Sequence, residues 1–209
     1  MSHDAPPWLS ALIAASGNLK AGDLSKLEPP AEGGRNSAVL ILFGEGASGP
    51  DVLLIERSGW SRAHPGQAAF PGGAVEPDDT GAVSTALREA VEETGLDVAG
   101  VEVLAELPAL WLPSGFLVVP VLAWWREPSA VAAVDSDEVA AVARVPIAAL
   151  VDPANRFRVR HPSGQIGAAF EVDDLLVWGF TAGLLDKLLD VAGWSGPWNS
   201  EDIRALPGL

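Results

Sequence analysis

The chain is predicted to form an α/β fold in which helices cover a mixed β-sheet. A strong helix pattern lies between two groups of apolar, β-rich runs, and further helix patterns occur at both ends. With 209 residues, 48% of them hydrophobic, the chain is long enough for one domain with a large core. Repeats and long linkers are absent from the sequence, so we expect a single domain with terminal extensions.

The first predicted elements are a short amphipathic helix and a β-hairpin. Four apolar residues lie at helical spacing before Gly17: Trp8, Leu9, Leu12 and Ile13. Residues 28–34 read as a loop, and the sheet is expected to begin near Ser37. The apolar runs 38–43 and 51–57 predict two buried strands joined by the segment GEGASGP.

That connecting segment contains a G-x-G-x-x-G pattern at residues 44–49, which matches a dinucleotide-binding fingerprint. The fingerprint requires a helix to follow, because the helix N-terminus holds the pyrophosphate. Pro50 and a second strand follow instead, so we interpret the pattern as a hairpin loop.

A helix is predicted over residues 80–94. Its apolar stripe consists of Val83, Leu87, Ala90 and Val91. Asp78 or Asp79 is expected to cap its start, and Gly95 is expected to end it in the left-handed conformation.

The remaining elements are strands near 98–107 and 116–125, and a strand followed by a short helix within 135–150. A final helix is predicted over roughly 178–192. Its apolar residues are Trp178, Leu184, Leu185, Leu188 and Leu189.

The composition excludes several function classes. Thirteen Lys and Arg residues face 28 Asp and Glu residues, which gives a net charge of −15 and disfavours binding to nucleic acid or to anionic membranes. The absence of cysteine excludes disulfides, thiolate metal sites and a thiol nucleophile. The N-terminus lacks the features of a signal peptide or membrane span, so we expect a cytoplasmic protein.

Three carboxylates converge on the predicted central helix. Glu89, Glu92 and Glu93 occupy positions i, i+3 and i+4, opposite the apolar stripe and close to a glycine-rich loop. Carboxylate oxygens are the ligands that Mg²⁺ prefers, although a solvated acidic face is the competing interpretation. Arg88 lies four residues before Glu92, and a structural ion pair is its preferred role.

These residues resemble the Nudix hydrolase signature G-x5-E-x7-R-E-U-x-E-E-x-G-U, where U is a bulky aliphatic residue. The chain reads R-E-A-V-E-E-T-G-L from Arg88 to Leu96, with Gly73 upstream. It differs in three respects. Asp79 replaces the first Glu, eight residues rather than seven separate it from Arg88, and Ala90 occupies the first U.

Residues 53–73, LLIERSGWSRAHPGQAAFPGG, fit the pattern L-L-x-x-R-S-x3-R-x3-G-x3-F-P-G-G. This pattern is similar to the signature of the coenzyme A pyrophosphatase branch of the Nudix family. The segments 114–121 and 178–182 also resemble that branch, so the likeness extends from about 36 to 185.

The resemblance implies an α/β/α sandwich with a mixed central sheet. It implies one Nudix hydrolase domain over 1–209, with helical extensions at 1–33 and 178–209. It further implies cleavage of coenzyme A or acyl-CoA to adenosine 3′,5′-bisphosphate and (acyl-)4′-phosphopantetheine, with Mg²⁺ or Mn²⁺ as cofactor. The terminal helices carry enough apolar residues for either a homodimer interface or a lid.

The resemblance also assigns site residues. Glu89 and Glu93 are the leading metal ligands, the backbone carbonyl of Gly72 completes the site, and Glu92 is a third ligand or lies just outside. The catalytic set is Glu92, Glu93, Arg88 and Glu138. Glu138 is the candidate base or a further ligand, and its alternative is an exposed loop acid.

The expected substrate-binding residues are Arg57, Arg62, His64, Phe70 and Gly73. The two arginines suit phosphate because a guanidinium donates paired hydrogen bonds, although Arg57 could instead pair with a signature carboxylate. A loop-ordering hydrogen bond is equally consistent with His64. Of the eight Trp residues, only Trp60 and Trp111 lie in loops near the expected site. Five others are interpreted as core residues: Trp8, Trp124, Trp125, Trp178 and Trp194.

Two other functions remain open at this point. The chain could hydrolyse a different nucleoside diphosphate derivative, such as NADH, ADP-ribose or an ADP-sugar. It could also be a non-catalytic Nudix-like binding domain, although the complete R-E-x-x-E-E set disfavours this.

Overall fold

The computed structural model describes residues 5–28, 33–58 and 66–206. The helices in these ranges are α1 (Ser10–Ser16), α2 (Ala21–Leu24), α3 (Ala82–Thr94), α4 (Ile147–Val151) and α5 (Gly179–Val191). The strands of the central sheet are β1 (Arg35–Gly46), β2 (Gly49–Arg57), β3 (Ala68–Ala69), β4 (Gly72–Ala74), β5 (Val101–Glu106), β6 (Leu110–Trp111), β7 (Phe116–Trp125) and β8 (Val139–Pro146). A second sheet contains β9 (Arg156–Arg160), β10 (Ile166–Val172), β11 (Leu175–Val177) and β12 (Ile203–Ala205).

The central sheet is mixed, as predicted. Its order is β3-β2-β1-β7-β5, while β4 pairs with β1, β6 with β7, and β8 with β2. β1 and β7 run parallel, from the pair Arg35 and Phe116 to the pair Phe43 and Trp124. The other paired strands of this sheet in the described ranges are antiparallel.

Helices cover both faces of the central sheet. Alternate residues of β1 point to opposite faces, so Leu40 and Leu42 contact one core and Ile41 and Phe43 contact the other. The first core includes Ala86 and Ala90 of α3. The second includes Leu12 of α1 and Leu9, which immediately precedes α1. It also includes four leucines of α5: Leu184, Leu185, Leu188 and Leu189. The predicted terminal helices therefore exist, and both pack on the face opposite α3.

The predicted hairpin of β1 and β2 is confirmed, and most of the segment GEGASGP belongs to its strands. The strands stay paired up to Gly46 and Gly49, so only Ala47 and Ser48 form the turn. A Cβ on Gly46 would lie 2.6 Å from a carboxylate oxygen of Asp51. That carboxylate is buried and bound to Arg144 at 2.8 Å, so glycine leaves room for the ion pair.

Helix α3 begins two residues later than predicted and ends as predicted at Gly95, whose φ is 69°. The expectation that Asp78 or Asp79 caps the helix is wrong, because Gly81 is the N-cap residue. The apolar stripe is also shifted. Val91 is 40% exposed, whereas Ala86, Ala90 and the carboxylate-bearing Glu93 are buried.

The second sheet was not predicted. β9 pairs with β10 antiparallel and with β12 parallel, and α5 packs beside β10. The final helix starts at Gly179, so Trp178 precedes it in an extended conformation and packs in the small core of the second sheet. Across the described ranges, none of the helices has the length and apolar composition needed to cross a bilayer.

Candidate active site

The site is built where α3 meets β4. β4 pairs antiparallel with β1, which places Gly72 opposite Val39. A Cβ on Gly72 would lie 2.3 Å from the carbonyl oxygen of Ala38, and a Cβ on Gly73 would lie 2.3 Å from a carboxylate oxygen of Glu89. Both glycines are therefore required for close packing, the first against backbone and the second against a helical glutamate.

Glu93 is the buried carboxylate of this site. Its side chain accepts a hydrogen bond of 2.9 Å from the backbone N–H of Gly72, and the residue is only 6% exposed. Burial, together with the charges of Glu89 and Glu138, raises the pKa of Glu93 to about 8. The Gly72 N–H and the charge of Arg57 act in the opposite direction. Four of the predicted residues thus lie within electrostatic reach of Glu93.

Glu89 lies beside Glu93 and is partly buried. Burial raises its pKa, while the charge of Arg88 lowers it. One carboxylate oxygen of Glu89 accepts a hydrogen bond of 3.1 Å from Nη2 of Arg88. Two adjacent carboxylates with raised pKa values form a place where a bound cation would be stabilising.

Arg88 is the organising cation of the site. It donates to both carboxylate oxygens of Asp79, to the backbone carbonyl of Ala74 at 3.1 Å, and to Glu92 at 2.9 Å. These contacts agree with the structural role expected for Arg88 and add Asp79 as its main partner. The guanidinium holds the pKa of Asp79 well below its ordinary value.

Glu92 does not converge with the other two helical glutamates. Its carboxylate is 57% exposed and is paired with Arg88. In the described parts of the chain, His, Asp and Glu side chains form no group of three that is close enough to hold a metal ion. The oxygen donors that lie close together are those of Glu89 and Glu93 and the backbone at Gly72 and Gly73. Oxygen is the donor type that hard divalent cations prefer.

A second segment brings Glu138 to the same edge. The backbone N–H of Ser58 donates to the carbonyl of Glu138 at 2.9 Å, and the hydroxyl of Ser58 donates to the carbonyl of Asp137. These two bonds tie the end of β2, which carries Arg57, to the turn before β8. Sequence reasoning missed this role of Ser58, although its position in the R-S pair of the signature was the available signal.

The expected substrate residues have different outcomes. Arg57 lies close enough to Glu93 to lower its pKa, which favours the interpretation that it interacts with a signature carboxylate. The prediction for Phe70 is corrected, because the residue is 3% exposed and belongs to the core on the face of the sheet opposite α3. Arg62 and His64, like Trp60, lie outside the described residues.

The Trp residues are mostly structural, as expected. Trp8 contacts Trp124 and Trp194 with ring centroids 5.7 and 5.5 Å apart, and Trp125 is fully buried. The ring of Trp111 lies against the backbone at Gly34, where a Cβ would be 2.6 Å from it.

Sequence comparison agrees with the geometry of α3 and the glycine loop. The profile of the NUDIX domain matches residues 34–166, more than half of the chain. The chain belongs to the Nudix family. The uncharacterized Nudix hydrolase NudL of Escherichia coli K12 is 36% identical over 159 residues, which cover 74% of this chain and 81% of that protein. NudL of Citrobacter koseri shows the same identity and coverage.

Solved structures show the same Nudix fold. RenU, a Nudix hydrolase from M. smegmatis, has a TM-score of 0.51 at 23% identity and covers 80% of this chain and 91% of its own. A Nudix hydrolase from Nitrosomonas europaea has a TM-score of 0.51 at 15% identity, covering 83% and 80%. The predicted sandwich with a mixed central sheet is confirmed.

Proposed function

We propose that this Nudix hydrolase cleaves the pyrophosphate bond of coenzyme A or an acyl-CoA. The products are adenosine 3′,5′-bisphosphate and 4′-phosphopantetheine or its acyl derivative. The observation that carries the proposal is the hydrogen bond between Gly72 and Glu93, because it joins the helical glutamates to the F-P-G-G end of the signature. We further propose that 1–209 acts as one catalytic domain with helical extensions at 1–33 and 178–209.

Glu89 and Glu93 are proposed as the metal-holding carboxylates, with the carbonyl of Gly72 beside them. A bound Mg²⁺ or Mn²⁺ would activate a water and neutralise charge on the attacked phosphoryl group. Arg88 keeps Glu89 and Glu92 in place through hydrogen bonds of 3.1 and 2.9 Å. Glu92, which is exposed, is proposed to act at the rim of the site, as an outer partner or a further ligand.

Glu138 is proposed as the group that accepts the proton of the attacking water. Its negative charge contributes to the raised pKa of Glu93, so the two carboxylates lie within electrostatic reach of each other. It is exposed, which keeps it accessible to water and substrate. Ser58 holds its backbone, so a proton acceptor on a loop is kept at a defined place.

Substrate choice is proposed to depend on the segment between Arg57 and Gly73. It carries Arg57, Arg62 and His64 in a strongly acidic chain, and guanidinium groups pair well with phosphates. The resemblance of this segment to the coenzyme A pyrophosphatase signature favours a substrate with a 3′-phosphate. The alternatives are another nucleoside diphosphate derivative, such as NADH or ADP-ribose, and a non-catalytic binding domain.

Product analysis after incubation with coenzyme A, NADH and ADP-ribose, each with Mg²⁺ and with EDTA, tests the proposal. We expect metal-dependent release of adenosine 3′,5′-bisphosphate from coenzyme A, and its loss in Glu93→Gln. Cleavage of another substrate alone would retain the hydrolase but reject the coenzyme A assignment. No turnover of any substrate would favour the binding domain.

A further inference from the structure

Strand β9 carries a concentration of positive charge that the catalytic proposal does not use. Its sequence R-F-R-V-R places Arg156, Arg158 and Arg160 at alternate positions, which share one face of the second sheet. Lys187 of α5 lines the same cavity as Arg158. In a chain with 13 Lys and Arg against 28 Asp and Glu, such a local excess is unusual.

A cavity of about 370 Å³ lies between this sheet, α5 and the segment that follows α5. Its volume falls within the range of small-molecule sites, roughly 300–1,000 Å³. Arg158, Asp186, Lys187 and Trp198 supply its charged and aromatic lining. The small residues Ala168 and Gly183 supply part of the remaining wall.

Arg156, which is only 2% exposed, connects parts of the chain that form the wall of the cavity. Its guanidinium donates to Asp186 at 2.8 Å and to Ser195 at 3.1 Å, and lies 4.8 Å from the ring centre of Trp198. Arg156 therefore fixes the indole in place and compensates the charge of Asp186. Lys187 also lies near this carboxylate, with Nζ 3.9 Å from Oδ2 of Asp186. Arg156, Arg158 and Lys187 together therefore exceed Asp186 by two positive charges.

This cavity is separate from the glutamate site. The glutamates are on α3, which packs on one face of the central sheet, whereas α5 packs on the other. A ligand in the cavity would therefore contact neither Glu89 nor Glu93.

We propose that the cavity is a second, non-catalytic site for a nucleoside monophosphate. The base would lie against Trp198, since indole rings stack with bases of any sequence. The phosphate would bind Arg158 and Lys187, since a guanidinium and an ammonium both form charge-assisted hydrogen bonds with phosphate oxygens. Binding at this cavity would be independent of which substrate the glutamate site cleaves.

Calorimetric titration of the full chain in EDTA with adenosine 5′-monophosphate, adenosine and inorganic phosphate tests the proposal. We expect one site for the monophosphate, and binding about tenfold weaker in Arg158→Gln and in Lys187→Gln, as the loss of one charge-assisted contact predicts. Arg126→Gln, which removes an exposed arginine elsewhere, is the matched control and should bind normally. Adenosine and phosphate alone should each bind more weakly than the monophosphate.

A cavity-filling pair separates this site from the glutamate site. A Cβ on Gly183 would meet no heavy atom within 4 Å, so Gly183→Leu should fill the cavity without disturbing the helix, whereas Gly183→Ala leaves most of it open. Binding should be lost in the first variant and retained in the second, with equal thermal stability. Absence of saturable binding to the wild type, or binding that Gly183→Leu leaves intact, would overturn the proposal. The proposal would also be overturned if inorganic phosphate bound as tightly as the monophosphate.

Discussion

Arg88 donates to both carboxylate oxygens of Asp79, from Nε at 3.1 Å and from Nη2 at 3.0 Å. Asp79 also accepts from the backbone N–H of Glu76 at 2.8 Å and from the hydroxyl of Thr85 at 2.9 Å. Asp79, which replaces the first Glu of the family signature, is thus an anchor for Arg88. Through Arg88 it sets the positions of Glu89 and Glu92.

Replacement of Asp79 should weaken catalysis without touching a proposed ligand. In Asp79→Asn the guanidinium loses its paired acceptor, so we expect metal affinity or kcat to fall by about 10–100-fold, as for other partners of metal ligands. Metal titration of the activity measures this. Asp78→Asn, at the exposed neighbouring position, is the control, and an equal loss there would contradict the argument.

The same ion pair predicts an acid-dependent loss of stability. The folded pKa of Asp79 is lowered below the ordinary 3.8, so its contribution to stability is present above about pH 4 and is lost as the pH falls. Urea unfolding between pH 3 and 6 should show a smaller acid-induced loss for Asp79→Asn than for the wild type. An equal loss of unfolding free energy with falling pH in both proteins would show that the ion pair of Asp79 and Arg88 does not contribute to acid sensitivity.

Glu93→Gln should stabilise the protein in the presence of a chelator while it abolishes activity. The pKa of Glu93 is about 8 in the folded chain against an ordinary 4.5. As the pH rises, Glu93 therefore ionises at a lower pH in the unfolded chain than in the folded chain. The stability of the wild type consequently falls between about pH 4.5 and 8. The variant avoids this loss, which amounts to a few kcal/mol because each pKa unit is worth about 1.4 kcal/mol.

Urea unfolding in EDTA at pH 5 and pH 8 measures this difference. The two proteins should be similar at pH 5, and the variant more stable at pH 8. Added Mg²⁺ should stabilise the wild type and leave Glu93→Gln unchanged. A variant less stable than the wild type at pH 8 in EDTA would contradict the burial of an ionised carboxylate.

Gly73→Ala should displace Glu89. Its Cβ would lie 2.3 Å from a carboxylate oxygen that Arg88 also holds, so the glutamate must leave its position. We expect metal affinity at least about tenfold weaker, in the range seen when the support of a ligand is lost. Gly17→Ala, where a Cβ meets nothing within 4 Å, should have normal metal affinity.

Ser58→Ala should affect proton transfer more than metal binding. Loss of the hydroxyl bond to Asp137 releases the turn that carries Glu138, so kcat should fall about tenfold while the apparent metal affinity is retained. The pH profile of kcat should change as well. Ser58→Thr, which retains a hydroxyl group at this position, should be more active than Ser58→Ala. A metal affinity that falls in parallel with kcat would show that Ser58 supports the whole site rather than the proton acceptor.

Local patterns were sufficient for much of the fold. Strand β7 was predicted with its observed bounds, and α3 and α5 to within two residues, because apolar periodicity and the left-handed position at Gly95 depend on neighbouring residues. β9 and β12 were missed, since alternating arginines and a three-residue run resemble loop sequence. Only their pairing with neighbouring strands makes them strands.

The sequence likewise predicted only part of the proposed site. Helical spacing alone placed Glu89, Glu92 and Glu93 near one another, but their separate environments depend on distant parts of the chain. The backbone N–H of Gly72 donates to buried Glu93, whereas exposed Glu92 is paired with Arg88. Phe70 is buried, which removes it from the expected substrate contacts.

The sequence by itself determined the order of the main elements, the helix that carries the carboxylates and the membership of the Nudix family. Each depends on spacing along the chain, which a helix or strand converts directly into a face. The tertiary structure alone decided which carboxylate is buried, which residue anchors Arg88 and where the turn with Glu138 is held. These depend on burial and on hydrogen bonds such as that from Ser58 to Glu138, 80 residues apart in sequence, which no local pattern specifies.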